Sequence, residues 1–68
     1  MNTKDVEVMT TASGRTVKIR VKNVGEAFGC IGQVIGENGR VIAETEAVPF
    51  GFTGAAIDGA RLLVGSMR

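Results

Sequence analysis

Histidine, tryptophan and tyrosine are absent from this 68-residue sequence, and cysteine and proline occur once each. These gaps narrow the functions open to it. Without histidine, a serine or cysteine nucleophile lacks its usual base. With Cys30 alone, the chain has no internal disulfide, and a zinc site, which usually takes four nitrogen or sulfur ligands, is not expected. No cofactor or metal is therefore expected, and no enzymatic activity. No apolar run approaches the roughly 18 residues of a membrane span, and Met1-Asn2-Thr3-Lys4-Asp5 lacks the apolar core of a signal peptide. No membrane association is expected. A formal net charge of +1 supplies no whole-molecule field toward nucleic acid. The lone free thiol suits a reducing compartment, so the expected location is cytoplasmic.

What is present describes a small folded domain. Apolar residues make up 44% of the chain and charged residues 22%, which is ordinary for a globular protein. Glycine, at ten residues, is about twice its usual share, implying many turns or close backbone approaches. A domain of this size buries only roughly 60% of its unfolded surface, so its core needs a supplement. With disulfides and metals set aside, self-association is the supplement left, and a homodimer or larger homo-oligomer is expected.

Asp5 to Thr11 and Thr16 to Lys22 alternate with the period of half-buried strands. A two-residue loop at Ser13-Gly14 would pair Thr10 with Val17, Val8 with Ile19 and Val6 with Val21. Met9 and Lys18, Glu7 and Arg20, and Asp5 and Lys22 would then share the other face, a register favoured by its apolar and charge pairs. Asn23 to Gly29 reads as a loop with room for one helical turn. Cys30 to Ile35 and Arg40 to Val48 form a second hairpin if Asn38-Gly39 is a two-residue type I′ turn. Glu37 then faces Arg40, Ile35 faces Ile42, Gln33 faces Glu44 and Ile31 faces Glu46. The opposite face, with Cys30, Gly32, Val34, Val41, Ala43, Thr45 and Ala47, is small or apolar and suits an approaching helix. After Pro49-Phe50-Gly51-Phe52, Thr53 is the expected N-cap. Ala55 to Met67 is the expected helix, with Ala56, Ile57, Ala60, Leu63, Val64 and Met67 on one stripe, and Gly59 marking close packing on the sheet. The expected fold is α+β: one β-β-β-β-α domain over residues 1–68, with an antiparallel four-stranded sheet of two hairpins packed against one C-terminal helix.

Asn38-Gly39-Arg40-Val41-Ile42-Ala43-Glu44-Thr45, followed by Ala56-Ile57-Asp58-Gly59-Ala60, resembles the YegP-like family of small domains of unknown function. The resemblance covers about residues 33–64. It implies an antiparallel sheet with one helix per unit and units that occur in tandem or paired; it implies no activity. The tyrosine usual in that family's loop is absent, with Phe50 or Phe52 in its place, and the family's aromatic-rich first strands are missing. A rival resemblance runs from Val34 to Ile42, where Ile35-Gly36-Glu37-Asn38-Gly39 is similar to the backbone-gripping loop of a KH-type RNA-binding domain. Glu37 and Asn38 stand where that loop would carry cations, and Pro49 and Gly51 interrupt the segment leading to Thr53-Gly54-Ala55-Ala56-Ile57.

Among candidate groups, Glu44 and Glu46 read as solvated acids rather than an acid–base pair, and Cys30 as a small buried hydrophobe. Lys18, Arg20 and Lys22 form a basic stripe without interleaved aromatics, which Glu7 and Asp5 are expected to neutralise. The half-apolar face with Ile31, Gln33, Ile35, Ile42 and Glu44 suits a contact surface. Phe50 and Phe52 could anchor a partner, with at least one expected to cap the core. The expected function is a non-enzymatic module that self-associates and binds a protein or small ligand. A narrower form of that expectation is a phage- or mobile-element-type inhibitor of a bacterial defence system. The alternative is a KH-like RNA-binding domain using Gly36, Gly39 and Arg40 with the stripe Lys18, Arg20 and Lys22.

Overall fold

Two turns of the same construction set the geometry of the sheet. The computed structural model describes residues 2–67. In the first turn the Thr11 N–H donates to the Arg15 carbonyl at 2.8 Å and the Gly14 N–H to the Thr11 carbonyl at 2.9 Å. In the second, Gly36 N–H donates to the Arg40 carbonyl at 2.8 Å and Gly39 N–H to the Gly36 carbonyl at 2.9 Å. Gly14 and Gly39 have φ of 86° and 82°. Each turn is therefore a three-residue loop that ends on a left-handed glycine. The expected two-residue type I′ turn would need a positive φ at Asn38, and no described non-glycine residue has one. The Asn38 side chain acts differently: its Oδ1 accepts the Arg40 N–H at 3.1 Å. Thr11 Oγ1 does the same for the Arg15 N–H at 3.2 Å.

The strands are β1 (Asn2–Thr10), β2 (Thr16–Asn23), β3 (Cys30–Ile35) and β4 (Val41–Glu44), followed by helix α1 (Thr53–Ser66). They form one antiparallel meander in the order β1-β2-β3-β4, and α1 covers one face. The fold is the expected α+β architecture. A six-residue loop with one turn, bounded by Gly25 and Gly29, joins β2 to β3.

The longer first turn corrects the expected register of β1 by one residue. Thr10 pairs with Thr16, Met9 with Val17, Val8 with Lys18 and Glu7 with Ile19. A bulge at Val6 then places Asp5 opposite Arg20, Lys4 opposite Val21 and Thr3 opposite Lys22. Since side chains alternate between faces, a one-residue slip turns the strand over. Met9 packs against the core, whereas Val8 is 63% exposed. In the second hairpin a bulge follows the turn at once. Val41 pairs with Ile35, Ile42 is the extra residue, and Ala43 and Glu44 pair with Val34 and Gln33. The bulge takes up the residue that the longer turn added, so Gln33 faces Glu44 as expected while Ile35 faces Val41 rather than Ile42.

β4 stops at Glu44, short of the expected Val48. There the Thr45 hydroxyl accepts the Gly32 N–H at 2.9 Å, in place of a ladder carbonyl. The chain rejoins the sheet once more, in an isolated bridge between Cys30 and Val48. Ile31 and Glu46 are consequently not paired.

The core lies between the sheet and α1. Val17, Ile19, Val34, Ala60 and Val64 form one cluster and Val21, Cys30 and Ala56 the other. Ile57, Leu63 and Met67 flank them, so the expected helical stripe is the observed one. Close approach depends on missing side chains: a Cβ on Gly32 would collide with the Ala56 carbonyl, and one on Gly59 would sit 2.9 Å from Thr45 Cγ2. Thr53 is the first helical residue, not the N-cap. Phe52 holds that position, with no side-chain hydrogen bond. Among the described residues no helix is long and apolar enough to cross a membrane.

Candidate functional site

The face of the sheet opposite α1 is ordered in rows that run across the strands. In the middle row Asp5, Arg20, Gln33 and Glu44 stand side by side on β1 to β4. Arg20 Nε donates to Asp5 Oδ1 at 2.9 Å, and Gln33 Nε2 to Glu44 Oε2 at 2.7 Å. Lys18 Nζ lies 3.4 Å from the other Asp5 oxygen. The hydrogen bond from Arg20, helped by the charges of Lys18 and Arg20 and opposed by partial desolvation, holds the Asp5 carboxyl below its ordinary value.

The row toward the turns is apolar apart from Lys18: it runs Val8, Lys18, Ile35 and Val41, with Ile42 beside Val41 at the bulge. Ile35 is only 3% exposed although no helix covers this face, whereas Val8, Val41 and Ile42 remain open. A groove of about 380 Å³ runs along this row, lined by Val8, Ile35, Lys18, Arg20, Gly36 and Glu37, among others. In the row toward the β2–β3 loop, Lys22 stands between Thr3 and Ile31.

The structure brings together some of the expected contact residues and separates others. Ile35, Ile42, Gln33 and Glu44 belong to this face, but Gln33 and Glu44 are tied to each other. Ile31 lies in the far row. Phe50 and Phe52 belong to the loop before α1, and neither caps the core. They are 48% and 61% exposed and lie outside both core clusters. Val48 and Ile57 close that end of the core instead. Of the basic stripe, Lys18 and Arg20 line the groove with Gly36 and Gly39, while Lys22 does not, nor does Arg40 of the loop. Asp5 bridges Lys18 and Arg20, as a neutralising acid was expected to do. Glu7 does not: the register places it on the helix side, where Arg61 Nε donates to its Oε1 at 2.6 Å. The Gly36–Gly39 segment joins two strands, and α1 is the one helix among the described residues. The two-helix clamp of a KH loop has no counterpart in this arrangement.

Sequence reasoning missed Val8, Val41 and Phe28. The first two follow from the turn length and the Ile42 bulge. Phe28, 74% exposed, was open to detection as an aromatic in a glycine-bounded loop. Cys30 is fully buried, with its Sγ 3.9 Å from the Pro49 carbonyl oxygen. Among the described residues no group of three or more acidic, cysteine or histidine side chains is placed to hold a metal. No family model matches the chain, and neither the curated proteins nor the solved structures provide a match.

Proposed function

We propose that this protein is a small non-enzymatic binding module that self-associates and binds through the sheet face opposite the helix. The observation that carries the reading is the register of β1, which turns Val8 onto that face beside Ile35, Val41 and Ile42. Leaving a valine open forgoes on the order of 1.5 kcal/mol of burial, and a surface partner recovers it. Kinship with YegP-like domains, whose units pair, is part of this proposal and supports self-association. Cytoplasmic location is part of the same proposal, supported by a single cysteine, which suits a reducing compartment.

Sedimentation equilibrium tests it. At micromolar concentration the wild type is expected to weigh more than its 7.1 kDa chain mass. Val8→Lys with Ile42→Lys, both at exposed positions, is expected to weaken that association. A wild type that stays monomeric throughout is incompatible with the self-associating reading. The narrower reading, inhibition of a bacterial defence system, is tested by expressing the chain in defence-bearing cells and scoring phage plating; no rescue leaves the general reading alone.

A second reading has one observation in its favour: Lys18, Arg20, Gly36 and Gly39 line a single groove. That arrangement suits a phosphate of single-stranded RNA, although Asp5 competes for both cations. Titration with an RNA oligonucleotide decides it, since this reading requires amide shifts at Gly36 and Gly39 that Arg20→Glu abolishes.

A further inference from the structure

Strand β1 alternates acids and valines, Asp5-Val6-Glu7-Val8, and the observed register leaves that alternation unused. Neither valine packs against a core cluster: Val8 is 63% exposed, and Val6, at the bulge, 37%. Met9 and Glu7 take the helix side instead, and both are only half-buried there.

The second hairpin shows another place for a bulge. One pair, Ile35 with Val41, follows its turn, and the bulge comes next, at Ile42. The same layout in the first hairpin keeps Thr10 opposite Thr16 and moves the bulge from Val6 to Met9. Val8 then stands opposite Val17, Glu7 opposite Lys18 and Val6 opposite Ile19, while Asp5 keeps Arg20 and Lys4 keeps Val21. Glu7 and Val8 change faces, Val6 turns toward the helix, and Met9 leaves the ladder. Charge and space both suit this displaced register. In the observed one Asp5 serves Lys18 and Arg20, and Arg61 joins Glu7 to Asp58. In the displaced one Lys18 faces Glu7, Arg20 retains Asp5, and Arg61 retains Asp58, so no charge is stranded. A cavity of about 480 Å³, lined by Val6, Val21 and Ile57 among others, lies open where Val6 would turn in.

We infer that the β1 bulge migrates between Val6 and Met9, which makes the first hairpin a two-state switch for the outer face of the sheet. With the bulge at Val6, Val8 lines the groove beside Ile35. With it at Met9, Glu7 replaces Val8 over Lys18, and the groove loses its apolar wall on β1. A partner seated against Val8 makes that contact in one state alone and therefore holds the bulge at Val6. This gating rests on the reading of the sheet face as a binding surface; the migration does not. The second hairpin has no matching alternative. Moving its bulge down β4 would part Gln33 from Glu44, which are hydrogen-bonded at 2.7 Å, and put Ile42 in the place of Ala43 on the core side.

Relaxation dispersion and saturation transfer on the free protein test it. Amides of Val6 to Met9 and of Val17 to Ile19 are expected to exchange with a minor state of roughly 1%, and those of β4 to show no exchange. Val8→Asp, at a position open in the observed register, is expected to abolish the exchange. The displaced register would bury its charge, and the side chain is too short to lead it back to water. Met9→Lys with Arg61→Ala removes contacts that only the observed register makes. There the cross-strand NOEs are expected to move from Val8–Lys18 and Glu7–Ile19 to Val8–Val17 and Val6–Ile19. A wild type without exchange overturns the inference, as does exchange that survives Val8→Asp; neither readout depends on the double variant's folding. A folded double variant that keeps the observed pairs overturns it too. Exchange in a protein that never self-associates leaves the switch standing and removes the self-associating reading, and self-association without exchange does the reverse.

Discussion

The β1–β2 and β3–β4 hairpins are built on the same turn: a three-residue loop, a left-handed glycine, and an arginine whose N–H is held by a nearby side-chain oxygen. They differ in where the following bulge falls. In β4 it comes at Ile42, beside the turn, and restores the pairing of Val34 and Gln33 that faces the right side chains inward and outward. In β1 it comes at Val6, after four further pairs, and those pairs stay shifted. One hairpin therefore presents Val34 and Ala43 to the helix. The other presents Met9 and Glu7 and sends Val8 to the far face. The comparison shows that a bulge's position, more than its presence, decides which face of an edge strand is buried. Both bulges also interrupt the outward hydrogen-bonding groups of edge strands, a known defence against unwanted strand pairing.

The largest test of this contrast is at Gly32, where the second hairpin meets α1. Gly32→Ala places a methyl group against the Ala56 carbonyl, and overpacking of that kind costs on the order of 3 kcal/mol. Val8→Ala in the first hairpin, at an exposed position, is expected to cost less than about 0.5 kcal/mol. Chemical denaturation of both variants measures the difference. Similar losses would mean that α1 bears on both hairpins alike, and the contrast would fail.

A smaller effect is expected at the turns. Gly14 and Gly39 have open space where a Cβ would go, so alanine at either position meets only the left-handed backbone penalty of about 1–2 kcal/mol. The two substitutions are expected to cost the same to within about 0.5 kcal/mol, since the turns are alike. Thermal melts of Gly14→Ala and Gly39→Ala read this directly. Unequal losses would show that one turn is propped by contacts beyond its own backbone.

The elements were legible in the sequence because each depends on many residues at once. Period-2 alternation marked the strands, and the Ala56/Ala60/Val64 stripe marked the helix and its buried side. The inward face of β3 was legible for a similar reason: Cys30, Gly32 and Val34 have to be small or apolar under a close helix. Register was not legible in the same way. Ser13-Gly14 and Asn38-Gly39 fit both a two-residue and a three-residue loop, and the choice turns on the φ of the residue preceding each glycine. Bulges leave no mark in an alternating pattern, because a strand that reads correctly can still be displaced by one residue. The candidate site inherited that limit. Ile35, on the turn side of the β4 bulge, faces Val41 rather than Ile42, whereas Gln33 with Glu44 was recoverable because that bulge undid the error beyond it. Val8 was read onto the wrong face because the β1 bulge did not. Phe50 and Phe52 were recognisable as possible anchors, but their company with Phe28 depends on the Cys30–Val48 bridge drawing two distant loops together.

The smallest expected effect concerns the charge link that only the first hairpin carries on its outer face. Asp5 accepts from Arg20 and lies beside Lys18, and its carboxyl is held below the ordinary value. A carboxylate with a lowered folded-state value stabilises the fold above its unfolded value, near pH 4, and the contribution is lost as pH falls through the folded one. Asp5→Asn should therefore be less stable than the wild type at pH 7, and the gap should close progressively below about pH 4. All three side chains are substantially exposed, so the gap is expected to be small and to narrow further with salt. Urea midpoints of both proteins at pH 7, 5, 4 and 3 measure it. A gap that does not change with pH would mean that Asp5 contributes through packing and hydrogen bonding alone. The first hairpin would then be held, like the second, by contacts indifferent to its charge.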